Sequence, residues 1–210
     1  MEDFKMDNSL GYIKKSGIKV KLADGKTHEI KYDMNALEYL QECFGDIKEL
    51  YDIDLEDIKN IKIFLRAGLL HEFPENEAPS LFEIGKLVIL MTIDIDGEII
   101  TYDLNSFEYL SEAFGVPMKD IMNVDLRSSK KAKTFLRAGI LHNYPEGQAP
   151  SLFDVGKMFD IETFADFNTI LKRAKLMMPS EDIEKSVTEA LLKSLPDRDD
   201  IDSLDEKKTM

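Results

Sequence analysis

One long segment of this sequence occurs twice, and this repetition constrains the fold more than any other feature. Residues 64–87 read FLRAGLLHEFPENEAPSLFEIGKL and residues 135–158 read FLRAGILHNYPEGQAPSLFDVGKM, so that about two thirds of the positions are identical. Further upstream, YDMNALEYLQECFG at 32–45 matches YDLNSFEYLSEAFG at 102–115. Self-similarity at a fixed period indicates one structural unit that is used more than once. We therefore predict a tandem duplication.

The spacing of the matches sets the boundaries of the repeats. The offset is about 70 residues at the upstream match and about 71 at the long one, which places one inserted residue in a loop between them. The sequence predicts repeat 1 at 18–88 and repeat 2 at 89–160. The remaining chain divides into an N-terminal segment at 1–17, C-terminal helices at 161–195, and a disordered acidic tail at 196–210.

Each repeat begins with a pattern typical of a β-hairpin. IKVKLADGKTHEIKY in repeat 1 and ILMTIDIDGEIITY in repeat 2 alternate apolar and polar residues around an Asp-Gly pair. The pair lies at 24–25 and at 96–97, and glycine readily adopts the positive φ that tight hairpin turns require. We expect a tight turn at each pair.

Helical patterns follow each hairpin. The first helix has a suitable N-cap at Asp33 or Asp103 and a stop signal at Gly45 or Gly115. A second helix has apolar residues at spacings of three and four, and a third follows a proline-containing loop. The predicted fold is therefore α+β and mostly helical, with a β-hairpin and three helices in each repeat and further helices at the C-terminus.

The residues that define the repeat motif are expected to be structural. Glycine inside the second helix costs about 1 kcal/mol relative to alanine, which indicates close packing against a neighbouring backbone. Serine followed three residues later by an acid, as in Ser80 and Glu83, is typical of a capping box, and Ser151 with Asp154 repeats it with a shorter acid. The motif residues are Arg66, Gly68, His71, Ser80, Arg137, Gly139, His142 and Ser151.

Histidine supplies the most tempting candidates for chemistry. His71 and His142 occupy the same position in the two repeats, and histidine is the usual neutral-pH base and a common metal ligand. Each stands where the second helix should end, however, and an imidazolium there caps carbonyl groups and is favoured by the helix dipole. Asn143 replaces Glu72, which weakens a metal site common to both repeats. We expect no catalytic residue, no cofactor and no metal, and hence no enzyme.

The repeated arginines have two interpretations. Arg66 and Arg137 could each clamp a carboxylate or a phosphate through two hydrogen bonds. We favour a structural ion pair with the acidic residue of the neighbouring helix, which is Glu38 in repeat 1 and Glu108 in repeat 2.

Composition argues against nucleic acid as a partner and excludes a membrane span. The chain has 41 acidic and 27 basic side chains, and a net charge of −14 repels the phosphate backbone of nucleic acid. The basic stretch RSSKKAK at 127–133 fits the solvated first turns of a helix. The longest apolar run, at 87–91, is too short to span a membrane.

Cys43 is the single cysteine, which excludes an internal disulfide, and we place it in the core.

The combined pattern is a short hairpin, a helix such as YDLNSFEYLSEAFG, a helix ending in LRAGLLHE, a proline-containing loop and SLFEIGKL. It resembles the phage tail assembly chaperones, in particular those of the gene transfer agent type, over nearly all of each repeat. Members of that family usually carry one copy of the pattern, whereas this chain carries two. A pair within one chain could therefore replace a homodimer.

The resemblance implies a non-enzymatic role in the cytoplasm of a bacterial host. A tail assembly chaperone binds the apolar tape measure protein, helps to recruit tail tube protein, and leaves before the virion is complete. We expect these partners, possible self-association, no nucleic acid and no membrane. The candidate contact loops are Phe73-Pro74 and Tyr144-Pro145, whose aromatic rings could equally plug the core under the loop.

Two other functions compete with this interpretation. The chain could be a structural tail protein, such as a tube or tail-completion subunit, that self-assembles through exposed hairpin edges. A tube subunit should be rich in strands, whereas this sequence is mostly helical in pattern. A metal-dependent enzyme that uses His71 and His142 is the third alternative.

Overall fold

The computed structural model describes residues 18–74, 77–95 and 98–159. The predictions for the N-terminal segment, the C-terminal helices, the acidic tail and the second Asp-Gly turn therefore lie outside the described residues. Within the described part of the chain, we call residues 18–88 unit 1 and residues 89–159 unit 2.

The two units contain the same elements in the same order. Unit 1 consists of β1 (Ile18–Lys21), β2 (Thr27–Ile30), α1 (Met34–Phe44), α2 (Ile58–Leu69) and α3 (Leu81–Lys86), with 3₁₀ helices at Ile47–Asp52 and Leu70–Glu72. Unit 2 consists of β3 (Ile89–Ile95), β4 (Glu98–Asp103), α4 (Leu104–Phe114), α5 (Ser129–Ile140) and α6 (Leu152–Met158), with 3₁₀ helices at Met118–Asn123 and Leu141–Asn143. The predicted α+β, mostly helical fold is confirmed. Duplication remains our interpretation of why the order recurs.

Both hairpins form small antiparallel sheets of two strands. In the first, Lys21 is the partner of Thr27, so the connecting loop is longer than the predicted tight turn. The amide of Gly25 donates to the carbonyl of Leu22 at 3.0 Å, and Gly25 has a φ of 79°. Glycine therefore supplies the positive φ at the end of the turn and not at its centre.

The first helix of each unit is capped as predicted. The carboxylate of Asp33 accepts from the amide of Ala36 at 3.1 Å, and that of Asp103 accepts from the amide of Ser106 at 2.9 Å. Both caps satisfy amide groups that have no partner inside the helix. The helices end at Gly45 and Gly115, again as predicted.

The second helix packs its glycine against the hairpin of the same unit. A Cβ atom at Gly68 would lie 2.6 Å from the Cγ2 atom of Ile30, and one at Gly139 would lie 2.7 Å from Cζ of Tyr102. Both distances are shorter than a Cβ atom allows, so the predicted close packing is present, but the nearest atoms belong to side chains of the hairpin and not to its backbone. In unit 1 the amide of Lys31 also donates to the carbonyl of Gly68 at 2.9 Å.

The third helix begins at a serine in both units, but the two caps differ. In α3, Ser80 accepts from the amide of Glu83, whose carboxylate accepts from the amide of Ser80 at 2.7 Å, which completes the predicted capping box. In α6, Asp154 is one carbon shorter. Its carboxylate accepts from the hydroxyl of Ser151 at 2.6 Å, so this box has only one of its two backbone contacts.

The cores of the two units are built alike around a tyrosine and a phenylalanine. The hydroxyl of Tyr32 donates to the carbonyl of Phe64, and that of Tyr102 donates to the carbonyl of Phe135. These bonds satisfy the polar end of a ring whose body is buried. Cys43 is exposed, however, so its predicted place in the core is wrong. The buried residues of α1 are Ala36, Leu37 and Leu40, and Cys43 lies in the last turn of the helix, where its side chain is exposed.

The units are joined in a defined direction. Helix α4 of unit 2 packs against both α2 and α3 of unit 1. Because α4 is the counterpart of α1, the contact is made between two different surfaces of the repeated unit. We call this contact the seam.

Candidate functional site

The two motif histidines occupy different environments. The Nδ1 atom of His71 lies 3.1 Å from the carbonyl oxygen of Gly68, which matches the predicted role as a cap at the end of α2. In unit 2, Nδ1 of His142 instead lies 2.8 Å from a carboxylate oxygen of the fully buried Asp103. The predicted carbonyl cap is therefore wrong for His142, because the buried N-cap of α4 supplies a stronger, charged acceptor.

A third histidine, His28 on β2, is at the centre of a cluster that the sequence did not indicate. Its two ring nitrogens lie 2.6 Å from the Oε2 atom of Glu72 and 3.0 Å from the Oδ2 atom of Asp24. The other carboxylate oxygen of Glu72 accepts from the amide of Glu29 at 2.7 Å. The cluster ties the first hairpin to the end of α2.

The charges of this cluster shift the pKa values of its members. Burial alone lowers the pKa of His28, but the hydrogen bonds to Glu72 and Asp24 more than offset it, and the pKa is raised above 6.5. Burial raises the pKa of Glu72, but the hydrogen bonds from the Glu29 amide and from His28 prevail, and the pKa is lowered below 4.5. The raised pKa of His28 and the lowered pKa of Glu72 both favour the ion pair between them.

These clusters do not form a metal site. Among the described residues, no group of three or more His, Cys, Asp or Glu side chains is arranged to hold a metal ion. The geometry of His28 and its two carboxylates is that of a structural ion pair, with each ring nitrogen already bonded.

The motif arginines bind backbone carbonyls. The Nε atom of Arg66 donates to the carbonyl of Pro79 at 2.8 Å, and that of Arg137 donates to the carbonyl of Pro150 at 2.7 Å. Each guanidinium also lies over a tyrosine ring of the first helix, at 4.5 Å in unit 1 and 4.7 Å in unit 2. The predicted ion pairs with Glu38 and Glu108 are therefore wrong in the described part of the chain, since proline carbonyls and aromatic faces fill the role.

The candidate contact loops present prolines and hold their aromatic residues inward. Phe73 and Tyr144 are half-buried and pack against the core, whereas Pro74 and Pro145 are exposed. The carbonyl of Tyr144 has a further role, because it accepts from Nζ of Lys86 across the seam at 2.9 Å.

The seam contains the most elaborate polar contact between the two units. The side chain of Asn105 is buried, donates to the carbonyl of Phe82 at 2.7 Å, and accepts from Nζ of Lys62 at 3.1 Å. The same lysine is paired with Glu108. Gly85 faces Asn105 so closely that no Cβ atom could be accommodated.

We call Lys62, the carbonyl of Phe82 and Gly85 the asparagine seat of unit 1. The sequence did carry a signal for it, because the asparagine, the glutamate, the lysine and the glycine all recur in the second repeat. Without a fold, nothing indicated that these positions from different helices meet.

In the part of the chain that the structure describes, large apolar side chains are exposed on the second hairpin and on helices α1 and α6. On the second hairpin, Ile89 is 41% exposed and Ile99 is 60% exposed. On the helices, Met34 of α1 is 65% exposed, Phe153 of α6 is 72% exposed, and Met158 is also exposed. Such side chains on an acidic protein are candidates for contacts with other macromolecules.

Comparisons with known proteins give no family assignment. No protein-family model, no curated protein and no solved structure matches this chain.

Within the residues that the structure describes, no helix is both long enough and apolar enough to cross a membrane.

Proposed function

We propose that this protein is a non-enzymatic tail assembly chaperone of a tailed phage. It would bind the tape measure protein in the cytoplasm of the bacterial host, assist the recruitment of tail tube protein, and leave before the virion is complete. The proposal begins from the resemblance of both repeats to that family and is supported by the character of the exposed surface.

The observation that carries the proposal is the exposure of the isoleucine Ile99 on the second hairpin. Ile99 is largely exposed, whereas the equivalent residue of the first hairpin is the charged Glu29. Ile89 adds a second exposed apolar side chain to the same hairpin. Exposed apolar side chains on a chain with a net charge of −14 can contact the apolar stripe of a helix while the complex stays soluble.

The contacts of the titratable side chains also favour a binding role. His71 and His142 each use Nδ1 to hold a helix end or a buried cap, and both ring nitrogens of His28 are bonded to carboxylates. These contacts join elements of one unit to each other. They explain the presence of the histidines without a reaction.

The direct test is co-expression with the tape measure protein encoded nearby. We expect the tape measure protein to be insoluble alone and to appear in a soluble complex of defined mass, measured by light scattering, when this protein is present. If the tape measure protein stays insoluble in its presence, the chaperone proposal is wrong.

A pair of variants localises the contact. Ile99→Asp should lower the yield of soluble complex several-fold, because it places a charge on the proposed apolar surface. Thr27→Asp is the matched control, since Thr27 is an exposed polar residue on the first hairpin. Equal yields with the two variants would remove the second hairpin from the contact.

The second candidate is a structural tail protein that self-assembles. It is favoured by two exposed surfaces, one on α1 and one on α6, whose counterparts in the other unit contact each other. Within residues 18–74, 77–95 and 98–159, the sheets have only two strands each, which argues against a strand-rich tube subunit. Rings or tubes of the isolated protein in electron micrographs, together with an insoluble tape measure protein, would favour this candidate.

A further inference from the structure

Unit 2 carries a second asparagine seat. Phe153 is largely exposed and Gly156 is exposed, whereas their counterparts in unit 1 are half-buried and buried. A Cβ atom at Gly156 would lie 3.0 Å from the Cδ atom of Lys133, so the flexible lysine itself lies over the seat. The equivalent residues are Lys133 for Lys62, Phe153 for Phe82 and Gly156 for Gly85.

Unit 1 carries the surface that fits this seat. Asn35 and Glu38 on α1 are the counterparts of Asn105 and Glu108 on α4, and both are exposed. The difference is greatest for the apolar neighbour of the asparagine. Met34 is 65% exposed, while its counterpart in the seam, Leu104, is 2% exposed.

We propose that a second copy of this chain docks its α1 on α5 and α6, with Asn35 in the asparagine seat of unit 2. The contact continues the seam from one chain to the next. Lys133 would meet Asn35 and Glu38 as Lys62 meets Asn105 and Glu108, so the charges of the two surfaces are complementary. The proposal goes beyond the proposed function, because it follows from the packing of the units alone.

A second polar contact of the seam can also be repeated. Lys86 donates to the carbonyl of Tyr144 across the seam, and the equivalent pair in the docked chains is Lys157 with the carbonyl of Phe73. The Phe73 segment therefore contacts a neighbouring chain through its backbone, while its aromatic ring remains packed in its own unit.

The contact joins two different surfaces, so it does not close into a twofold dimer. A heterologous contact of this kind produces a ring if the rotation closes and an open array if it does not. Each added chain buries one seat and presents another.

The contact between chains should be weaker than the seam. Lys119 pairs with Glu56 across the seam at 2.8 Å, but Arg127 stands at the position equivalent to Glu56. The receiving helix is also more polar, with Ser129 in place of Ile58. We therefore expect association that is reversible and depends on concentration.

Sedimentation of the purified full chain over a wide concentration range tests the proposal. The average mass should rise with concentration above that of one chain. A mass that stays at one chain throughout, as it would if residues 160–210 covered the seat, overturns the proposal.

Two variants, one for each surface, make the test specific. Gly156→Gln fills the seat, and Lys133 can move aside because it is flexible. Asn35→Arg places a long cation opposite Lys133 on an exposed position of α1. Each variant should remain a single chain at concentrations where the natural protein is at least half associated. Thr27→Arg is the control, since it adds the same charge on the first hairpin and should associate normally.

An equimolar mixture of the two variants distinguishes head-to-tail docking from other self-association. The first variant keeps an intact α1 and the second keeps an intact seat, so the mixture should form a complex of two chains and nothing larger. A mixture that stays monomeric, or variants that associate alone like the natural protein, would contradict the proposal. Unchanged circular dichroism of each variant shows that its fold is retained.

Discussion

The two units join the hairpin to the end of the second helix with the same kinds of side chain in exchanged positions. In unit 1 the histidine, His28, comes from the hairpin and the carboxylate, Glu72, comes from the helix end. In unit 2 the histidine, His142, comes from the helix end and the carboxylate, Asp103, comes from the end of the hairpin. One junction has therefore been made in two ways.

The exchange shows which interactions define the unit. The close approach of Gly68 and Gly139 to the hairpin and the bond from tyrosine to the helix carbonyl are the same in both units. The contact between these glycines and the hairpin tolerates little change in sequence, because not even one methyl group fits there without displacing a neighbour. The histidine and the carboxylate of the junction can exchange positions provided that each buried polar group keeps a partner.

The largest expected effect tests the packing that the units have in common. Gly139→Ala should lower the free energy of unfolding by about 3 kcal/mol, because the new methyl group would overlap both Tyr102 and Ile100. Gly68→Ala should cost about 1 to 2 kcal/mol, since only Ile30 is too close and Tyr32 lies at 3.5 Å. Urea unfolding measures both. A larger loss for Gly68→Ala would mean that the second helix lies closer to the hairpin in unit 1 than in unit 2.

The next effect compares the seam with the exposed surface of α1. Glu108→Gln should cost about 2 to 3 kcal/mol, because the buried Lys62 loses its charged partner. Glu38→Gln, at the equivalent exposed position, should change the free energy of unfolding by less than about 0.5 kcal/mol. The measurement is made on dilute protein, where chains do not associate. Equal losses would show that Lys62 does not depend on Glu108.

A smaller effect depends on pH and belongs to unit 1. Because the pKa of His28 is raised above 6.5 in the folded state, its stabilisation is complete below pH 6.5 and is lost as the pH rises through the folded pKa. The pKa of Glu72 is lowered, so its stabilisation is present above pH 4.5 and is lost as the pH falls through its folded pKa. His28→Gln should cost about 1 to 2 kcal/mol at pH 6.

The measurement is the free energy of unfolding of both proteins from pH 4 to pH 9. The difference between the natural protein and His28→Gln should narrow as the pH rises above 6.5. A difference that grows with pH would mean that the histidine is held neutral and that the ion pair with Glu72 is absent.

The smallest effect concerns the exposed cysteine. Cys43→Ala should change the free energy of unfolding by less than about 0.5 kcal/mol, because Ala113 already occupies the equivalent position on α4. The native thiol should react with a disulfide reagent almost as fast as in denatured protein. A slow reaction would place Cys43 in a protected position after all.

Local signals in the sequence predicted the elements and their ends. The caps at Asp33 and Asp103, the stops at Gly45 and Gly115, and the box at Ser80 depend on residues within one turn of each other. The 3₁₀ helices at Ile47–Asp52 and Met118–Asn123 were missed, because such short segments leave no periodic pattern of apolar residues.

Contacts between residues far apart in the sequence could not be predicted from it. Arg66 binds a proline carbonyl, and a backbone acceptor leaves no trace in residue type. His28 and Glu72 are 44 positions apart and meet only because α2 returns to the hairpin. The residues of the asparagine seat recur in the sequence, but recurrence alone does not show that three helices bring them together.

The short third helix has a consequence for the dynamics of an assembled sample. Helices as short as α3 and α6 have little stability of their own, because nucleation is costly. Helix α3 is covered by α4, whereas most of α6 is exposed. We therefore expect α6 to open at a lower free energy and its amide hydrogens to exchange faster with solvent. Docking of another chain would slow that exchange to the rate of α3. The fraction of α6 amide groups that still exchange fast would then measure the fraction of chains to which no other chain has docked.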